Sequence, residues 1–493
     1  MKYWIGIAVV FCIHINGFAQ GEASGSYVSN YAGVNAVQLN PSALHNQKVW
    51  LSVNLLGANL FLNTDFAYLD KDEFKLTDLL NPNYVLPAHS TGYGVEERFF
   101  YSYDSEQNTS FNQSLHILGP SAMLAFNQHA IAITSGLRAE TNLRNLTPDL
   151  ANILAYGFSY FPQYLHDFQI NDFSGTSLAW AEIGISYAYR IDREKFDNWS
   201  FGFSLKKLIG IGGGYLNVSK STYSLIDSKT INVANQVAEL GFALPIDYNT
   251  NAFLPDELKN GRGWAMDIGF TYQNLIRRQP KLNANKFCEQ PNIDYKYRLG
   301  VALLDIGGID FKQNAQTHDF SSSAQATGDL NDAILESVNQ VVQLISEEFY
   351  GSTSASLVSN SMHIALPMSL SAQFDYNTQW HHFYWNTSLI YGFPLKGGAL
   401  RRPSKLSIAP RYETKMLEIG VPLSIYQFQK PYLGIYARYG PFLIGSDWFS
   451  SLLGNKNFNG LDLYFSLKFQ LANQNCTSKR RISDACSKKI MGF

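Results

Sequence analysis

Three stretches of this chain alternate apolar and polar residues with a period of two. In 461–472, Leu461, Leu463, Phe465, Leu467, Phe469 and Leu471 alternate with Asp462, Tyr464, Ser466, Lys468 and Gln470. In 181–191, Ala181, Ile183, Ile185, Tyr187, Tyr189 and Ile191 alternate with Glu182, Gly184, Ser186, Ala188 and Arg190. In 366–376, Leu366, Met368, Leu370, Ala372, Phe374 and Tyr376 alternate with Ser369, Ser371, Gln373 and Asp375. Successive side chains of a strand point to opposite faces, so each stretch has one apolar and one polar face. Charges such as Glu182, Arg190 and Lys468 inside these runs require that the polar face meet water or partners, which is the lumen of a barrel. Strands of soluble sandwiches average ~5–6 residues. These runs reach the ~9–11 of tilted membrane-spanning strands.

Eleven further segments read as strands: 48–62, 113–126, 130–140, 199–217, 264–275, 294–312, 380–393, 404–414, 417–428, 431–439 and 441–448. The total is about 14, an even number that puts both ends of the barrel wall on one side of the membrane. Asn127-Gln128 and Asn377-Thr378-Gln379 read as short periplasmic turns, and 63–112, 141–175, 218–262 and 313–361 as long extracellular or lumen-entering loops. The alternation in 199–217 slips at Lys206-Lys207, and 97–104 is a candidate extra strand. Two long loops carry helix signals. Thr147-Pro148-Asp149 places a cap and a proline ahead of Leu150, Ile153 and Leu154, and Ile334, Val338, Val341, Val342 and Ile345 form a stripe at helical spacing. Each stripe is expected to pack on the rim as a cap, with coverage of a ligand portal as the sharper alternative.

Composition agrees with this pattern. Aromatics make up 14% of the chain, with 29 Tyr and 33 Phe, and charged residues only 16%, against ~25% in ordinary globular proteins. Lys2, the apolar stretch Ile5–Ile13 and Gly17-Phe18-Ala19-Gln20 read as a secretory signal cleaved after Ala19; Cys12 lies inside its apolar core without the small residue of a lipobox before it. The expected division is a signal peptide at 1–19, an N-terminal plug at 20–47, a transmembrane β-barrel at 48–472 and a periplasmic tail at 473–493. The net charge of -2 supplies no field for nucleic acid.

The segment Tyr31-Ala32-Gly33-Val34-Asn35-Ala36-Val37-Gln38-Leu39-Asn40-Pro41-Ser42-Ala43-Leu44 resembles the helix and Asn-Pro-Ala turn that open outer-membrane barrels of the FadL and PorV superfamily, with Ser42 standing between Pro41 and Ala43. Gly261–Gly269, Leu304–Ile309, Leu366-Pro367-Met368 and Gly440–Asp447 are similar, in order along the chain, to a Bacteroidota branch of that superfamily. The resemblance implies a 14-stranded barrel with an N-terminal plug in its lumen; it transfers no substrate. Asn35, Asn40, Pro41 and Ser42 are the candidate plug and ligand residues. Gly263 and Gly269 flank Asp267, and Gly307-Gly308 follow Asp305, where missing side chains permit a bulge or a close approach of the plug. Asp267 and Asp305 are read either as ordinary lumen polarity or as groups that hydrogen-bond the plug and hold it shut.

Catalytic and metal motifs are not found. His381-His382 point to opposite faces of a strand, and no Gly-x-Ser-x-Gly, HExxH or phosphate loop occurs. No cofactor or metal is expected, and the chain is read as a non-enzyme. The tail holds Cys476 and Cys486, a candidate disulfide, among Lys479, Arg480, Arg481, Lys488 and Lys489, whereas Cys288 stands apart. The expected partner is outer-membrane lipid. Beyond that, two roles are open: a FadL-like conduit for a hydrophobic or amphiphilic small molecule, or a PorV-like docking component among other envelope proteins. A conduit needs an apolar pocket or a wall opening, whereas a docking platform tolerates a filled barrel.

Overall fold

The computed structural model describes residues 23–72, 74, 101–102, 107–156, 161–192, 196–228, 230–276, 294–322, 326–329, 337–380, 382–395, 397–450 and 457–472. The signal segment, His381, Ile334, Cys288 and the tail with Cys476 and Cys486 lie outside the described residues.

Fourteen antiparallel strands close into a barrel. In chain order they are β1 Val49–Thr64, β2 Thr109–Leu118 continued by Ser121–Phe126, β3 His129–Leu146, β4 Asp167–Asp192 and β5 Asp197–Leu225. β6 comprises Thr230–Ala243 and Gly261–Leu275, β7 Tyr295–Phe311 and Ala315–Asp319, and β8 Met362–Ala365 and Ser369–Asn377. The wall is completed by β9 Phe383–Gly392, β10 Lys405–Glu413, β11 Leu417–Gly420 and Leu423–Tyr426, β12 Lys430–Leu433 and Ile435–Tyr439, β13 Phe442–Ser446 and β14 Gly460–Ala472. β14 pairs with β1 from Ala472 opposite Val49 to Gly460 opposite Asn63, which removes every free edge. All fourteen expected segments fall on these strands.

The wall shows the two faces that the alternation requires. Ile183 and Ile185 are 57% and 59% exposed, while Glu182 and Ser186 on either side of them are 7% and 0% exposed. Ile131, Ile133, Phe201, Phe203, Leu299 and Val301 continue the exposed apolar belt on neighbouring strands. Such a belt around a charged interior fits hydrocarbon outside and a polar lumen inside, so the barrel spans a membrane. Among the described residues, no helix is long and apolar enough to cross one. The slip at Lys206-Lys207 leaves β5 unbroken: Lys206 points inward and Lys207 lies over the Trp264 ring at 4.6 Å.

Two expectations of the alternation change. Leu366 was placed on the lipid face, but Pro367 interrupts β8 there and Leu366 turns into the lumen, fully buried. The links 141–175 and 218–262 take in long extensions of the wall strands. β4 has 26 residues and β5 has 29, and a span takes only ~9–11. The upper parts of β3 to β7 therefore stand clear of the membrane at the end bearing the long loops. There they share an apolar cluster with helices α2 (Pro148–Tyr156) and α3 (Val338–Tyr350): Leu146, Ile153, Ile170, Phe173, Phe242, Val338 and Val342. Both expected helices form at the rim. Ser337 caps α3 by accepting the Gln340 N–H at 3.3 Å. Of the candidate strand 97–104, Tyr101–Ser102 pairs with Ala67–Tyr68 in a separate two-stranded ribbon.

Candidate functional site

The lumen is filled from both ends. At the short-turn end, residues 23–47 form helix α1 (Ser24–Tyr27) and two 3₁₀ turns, Gly33–Gln38 and Pro41–Asn46. Asn40 starts the second turn: its Oδ1 accepts the Ser42 N–H at 3.0 Å and the Ser42 hydroxyl at 2.6 Å, and Pro41 supplies the preset φ of the first position. The same Asn40 grips the wall, its Nδ2 donating to Phe270 O at 3.2 Å and to Gln373 Oε1 at 3.0 Å. Ser42 Oγ lies 2.6 Å from Thr271 Oγ1. Asn35 is buried, and its amide atoms meet no hydrogen-bond partner among the described residues.

Around the plug the wall is lined with small residues. A Cβ on Gly202 would lie 2.4 Å from Ser42 N, and one on Gly269 2.1 Å from Asn40 Oδ1. Val34, Val37 and Leu44 pack on Met123, Ala125, Ala130, Ala132 and Ala188. The space at this height is thus occupied by the plug, not by wall side chains.

Charged wall groups also reach the plug backbone. Lys468 Nζ donates to Ala32 O at 2.6 Å and Tyr31 O at 2.9 Å, and Gln470 Nε2 donates to Tyr31 O at 2.8 Å. Arg298 donates to Asn46 O at 3.2 Å and to Val28 O. Asn30 Nδ2 donates to Glu413 Oε1 at 2.7 Å. Glu413 in turn accepts from Arg411, which grips both oxygens of Asp375 at 2.8 Å. A cavity of about 20 Å³ remains between plug and wall, lined by Asn40, Gln47, Thr271, Arg298 and Gln373 among others; that is room for about one water.

Asp267 and Asp305 do not touch the plug. Asn40 and Ser42 meet the wall at Gly269, Phe270 and Thr271, so Asp267 lies one inward-facing position above those contacts. Two residues of β7, Leu304 and Asp305, stand opposite Asp267 alone, and this one extra residue makes a bulge, with Asp305 at φ +56 and Gly307 at φ +157. The bulge turns Asp305 inward, where its backbone N–H donates to Asp267 Oδ1 at 2.7 Å. Lys206 bridges Asp267 and Asp305 at 2.8 Å each, and Arg138 binds Asp305 at 3.0 Å and Glu140 at 2.7 Å. Trp180 lies against the Arg138 guanidinium at 4.8 Å and donates to Glu182 Oε2 at 3.2 Å. The plug-holding reading of both aspartates is therefore replaced by one in which they tie wall strands together.

The second seal comes from residues 393–395 and 397–404, between β9 and β10, which fold into the lumen. Arg401 N donates to Asn142 Oδ1 on β3 at 2.9 Å, across the barrel. Leu400 is fully buried in one apolar cluster with Leu178, Trp180, Leu208, Ile309, Phe311, Ile364 and Leu366. Arg402 donates to Ser369 Oγ at 3.1 Å and stands 3.7 Å from Asp305 Oδ2. Sequence reasoning passes over this loop and the wall partners Thr271, Arg298 and Glu413, whereas Gln373, Lys468 and Gln470 lie on the polar faces that the alternation assigns to the lumen.

Catalytic and metal geometry is thin. Among the described residues no group of His, Cys, Asp and Glu could hold a metal ion. His318 Nδ1 lies 3.0 Å from Ser356 Oγ, but its other nitrogen meets the Gln316 amide oxygen at 3.0 Å, not a carboxylate that would orient a catalytic imidazole.

Residues 41–447 match DUF5723, a family of unknown function. No curated protein matches the chain. Among solved structures, the Pseudomonas putida toluene transporter TodX is 10% identical, covering 90% of this chain and 95% of its own, with a TM-score of 0.38. A TodX mutant described as a monoaromatic hydrocarbon channel is 11% identical, covering 92% and 97%, at 0.41. A Pseudomonas aeruginosa FadL homologue is 9% identical, covering 92% and 97%, at 0.23.

Proposed function

The chain belongs to the family DUF5723, and from that premise we propose that it is an outer-membrane conduit for a hydrophobic or amphiphilic small molecule, closed at both ends in this conformation. The observation that carries the proposal is Leu400. It occupies an apolar chamber in the lumen from a loop between β9 and β10, and withdrawing that loop would break its backbone hydrogen bonds to Ala365 but no pairing between wall strands. With the loop out, the chamber presents Leu178, Trp180, Ile309 and Phe311 to an incoming molecule, the lining expected of an apolar ligand site. The plug supports the same reading, because Gly202, Gly269 and the alanines around it leave a passage once the plug is displaced. In this orientation the short turns and the plug face the periplasm and the long loops the exterior.

The filled lumen favours a second reading, a docking platform with no transported ligand. Lipid mass spectrometry of the purified protein and planar-bilayer conductance separate the two. A conduit carries an amphiphile, and it conducts when Asn40 and Ser42 are both changed to Ala. Silence of that variant and an empty lumen, with stoichiometric co-purification of envelope proteins, would establish the platform instead.

A further inference from the structure

The loop that forms the upper seal brings two chemically different groups into the lumen, two positions apart: the aliphatic side chain of Leu400 and the guanidinium of Arg402. Leu400 fills the apolar chamber and Arg402 stands at the edge of the buried ion cluster. Among the described residues, that cluster contains four carboxylates, Glu140, Glu182, Asp267 and Asp305, and two wall cations, Arg138 and Lys206, with Arg402 as the third cation. With the loop in place the balance is four against three. Withdrawing the loop leaves four against two, in a site where every one of those wall groups is less than a tenth exposed. Buried charge of one sign is tolerated only when it is paired. Withdrawal of Leu400 and Arg402 therefore becomes favourable when something replaces both the apolar contact and the positive charge.

We infer that the ligand admitted through the upper seal is a cationic amphiphile, whose apolar body takes the place of Leu400 and whose amine or guanidinium takes that of Arg402 at Asp305. An anionic amphiphile would add a fifth negative charge, and a neutral one would leave the deficit unfilled. The inference rests on the conduit reading and specifies its substrate class.

The test uses the full-length protein in lipid nanodiscs at pH 7.5, where an ordinary imidazole is neutral, with empty nanodiscs as the blank. Three bromine-tailed decyl probes differ only in the head: trimethylammonium, hydroxyl and carboxylate. Quenching of Trp180 fluorescence reports arrival in the chamber and is identified by its loss in Trp180→Phe. The ammonium probe is expected to bind about tenfold more tightly than the alcohol, and the carboxylate most weakly. Arg402→Ala should tighten the ammonium probe further, Arg402→Lys should leave it near the wild-type value, and Glu140→Gln in the Arg402→Ala background should reduce the preference. Equal or tighter binding of the alcohol or the carboxylate overturns the inference while leaving a conduit. No quenching by any probe, even in Arg402→Ala, overturns both.

Discussion

The two seals close the same lumen by different chemistry. The lower one is placed by shape and by hydrogen bonds: Asn40 and Ser42 grip Phe270, Thr271 and Gln373, Lys468 and Arg298 donate to plug carbonyls, and glycines at 202 and 269 leave room for the turn. The upper one is placed by an apolar side chain in an apolar chamber and by a cation beside paired carboxylates. A seal of the first kind is fitted to its own segment, whereas a seal of the second kind competes directly with any ligand that carries both an apolar body and a positive charge. Opening the two is therefore separable: the Asp305 cluster ties wall strands together, while Gly202, on wall strand β5, bears on the plug.

The largest effect should come from the wall. Asp305→Ala leaves Arg138 and Lys206 facing each other with one carboxylate fewer, and removing one partner of a buried ion pair costs about 3–5 kcal/mol. The temperature at which the folded band shifts to the unfolded one on gels should fall, with protease protection of residues 23–47 retained below it. Release of the plug before the barrel melts would show that the cluster holds the plug after all.

Gly202→Ala should give the opposite split. The new methyl meets the plug backbone at 2.4 Å, a clash worth about 1–3 kcal/mol. It is relieved by moving the plug, because β5 is fixed on both sides by its neighbours. Conductance and protease access to the plug should rise with little change in barrel melting. Ser42→Ala is milder: it removes the hydroxyl bridge to Thr271 for about 0.5–1.5 kcal/mol, and should shift plug protection in the same direction by less.

How much of this was legible in the sequence follows the same division. Lipid on one side and a polar lumen on the other force alternation, so all fourteen barrel strands could be counted from residues such as Ile183, Glu182 and Ile185. Above the membrane that constraint disappears. Phe168 and Ile170 lean on the rim cluster, and past Asp172, with φ +54, the next buried residue is Phe173, three positions after Ile170, which hides the period. Asp267 and Asp305 were legible as lumen-facing, but their partners Arg138 and Lys206 depend on register across β3, β5, β6 and β7, which no local pattern encodes. The plug residues stood out through the Asn-Pro-Ser-Ala turn. The upper seal did not, because Gly397-Gly398-Ala399-Leu400-Arg401-Arg402 has no period and reads as a link.

The smallest effect sharpens the contrast by pH. His45 sits in the plug with Nε2 2.8 Å from Asn127 O, and its Nδ1 is buried without a hydrogen-bond partner. Burial, reinforced by the nearby Arg190 charge, pushes its imidazole down to about 3 from an ordinary value of 6.5. A released plug exposes His45 to water, where it takes a proton below about 6.5. Docking is thus fully supported above that pH and weakens as pH falls toward the docked value, since the released state binds more protons. Between pH 7.5 and 5.5, protease access to residues 23–47 should rise modestly in the wild type and stay level in His45→Gln, with barrel melting unchanged by that substitution. Equal pH response in both proteins would remove His45 from the account and leave the plug held by shape and by its other hydrogen bonds to the wall.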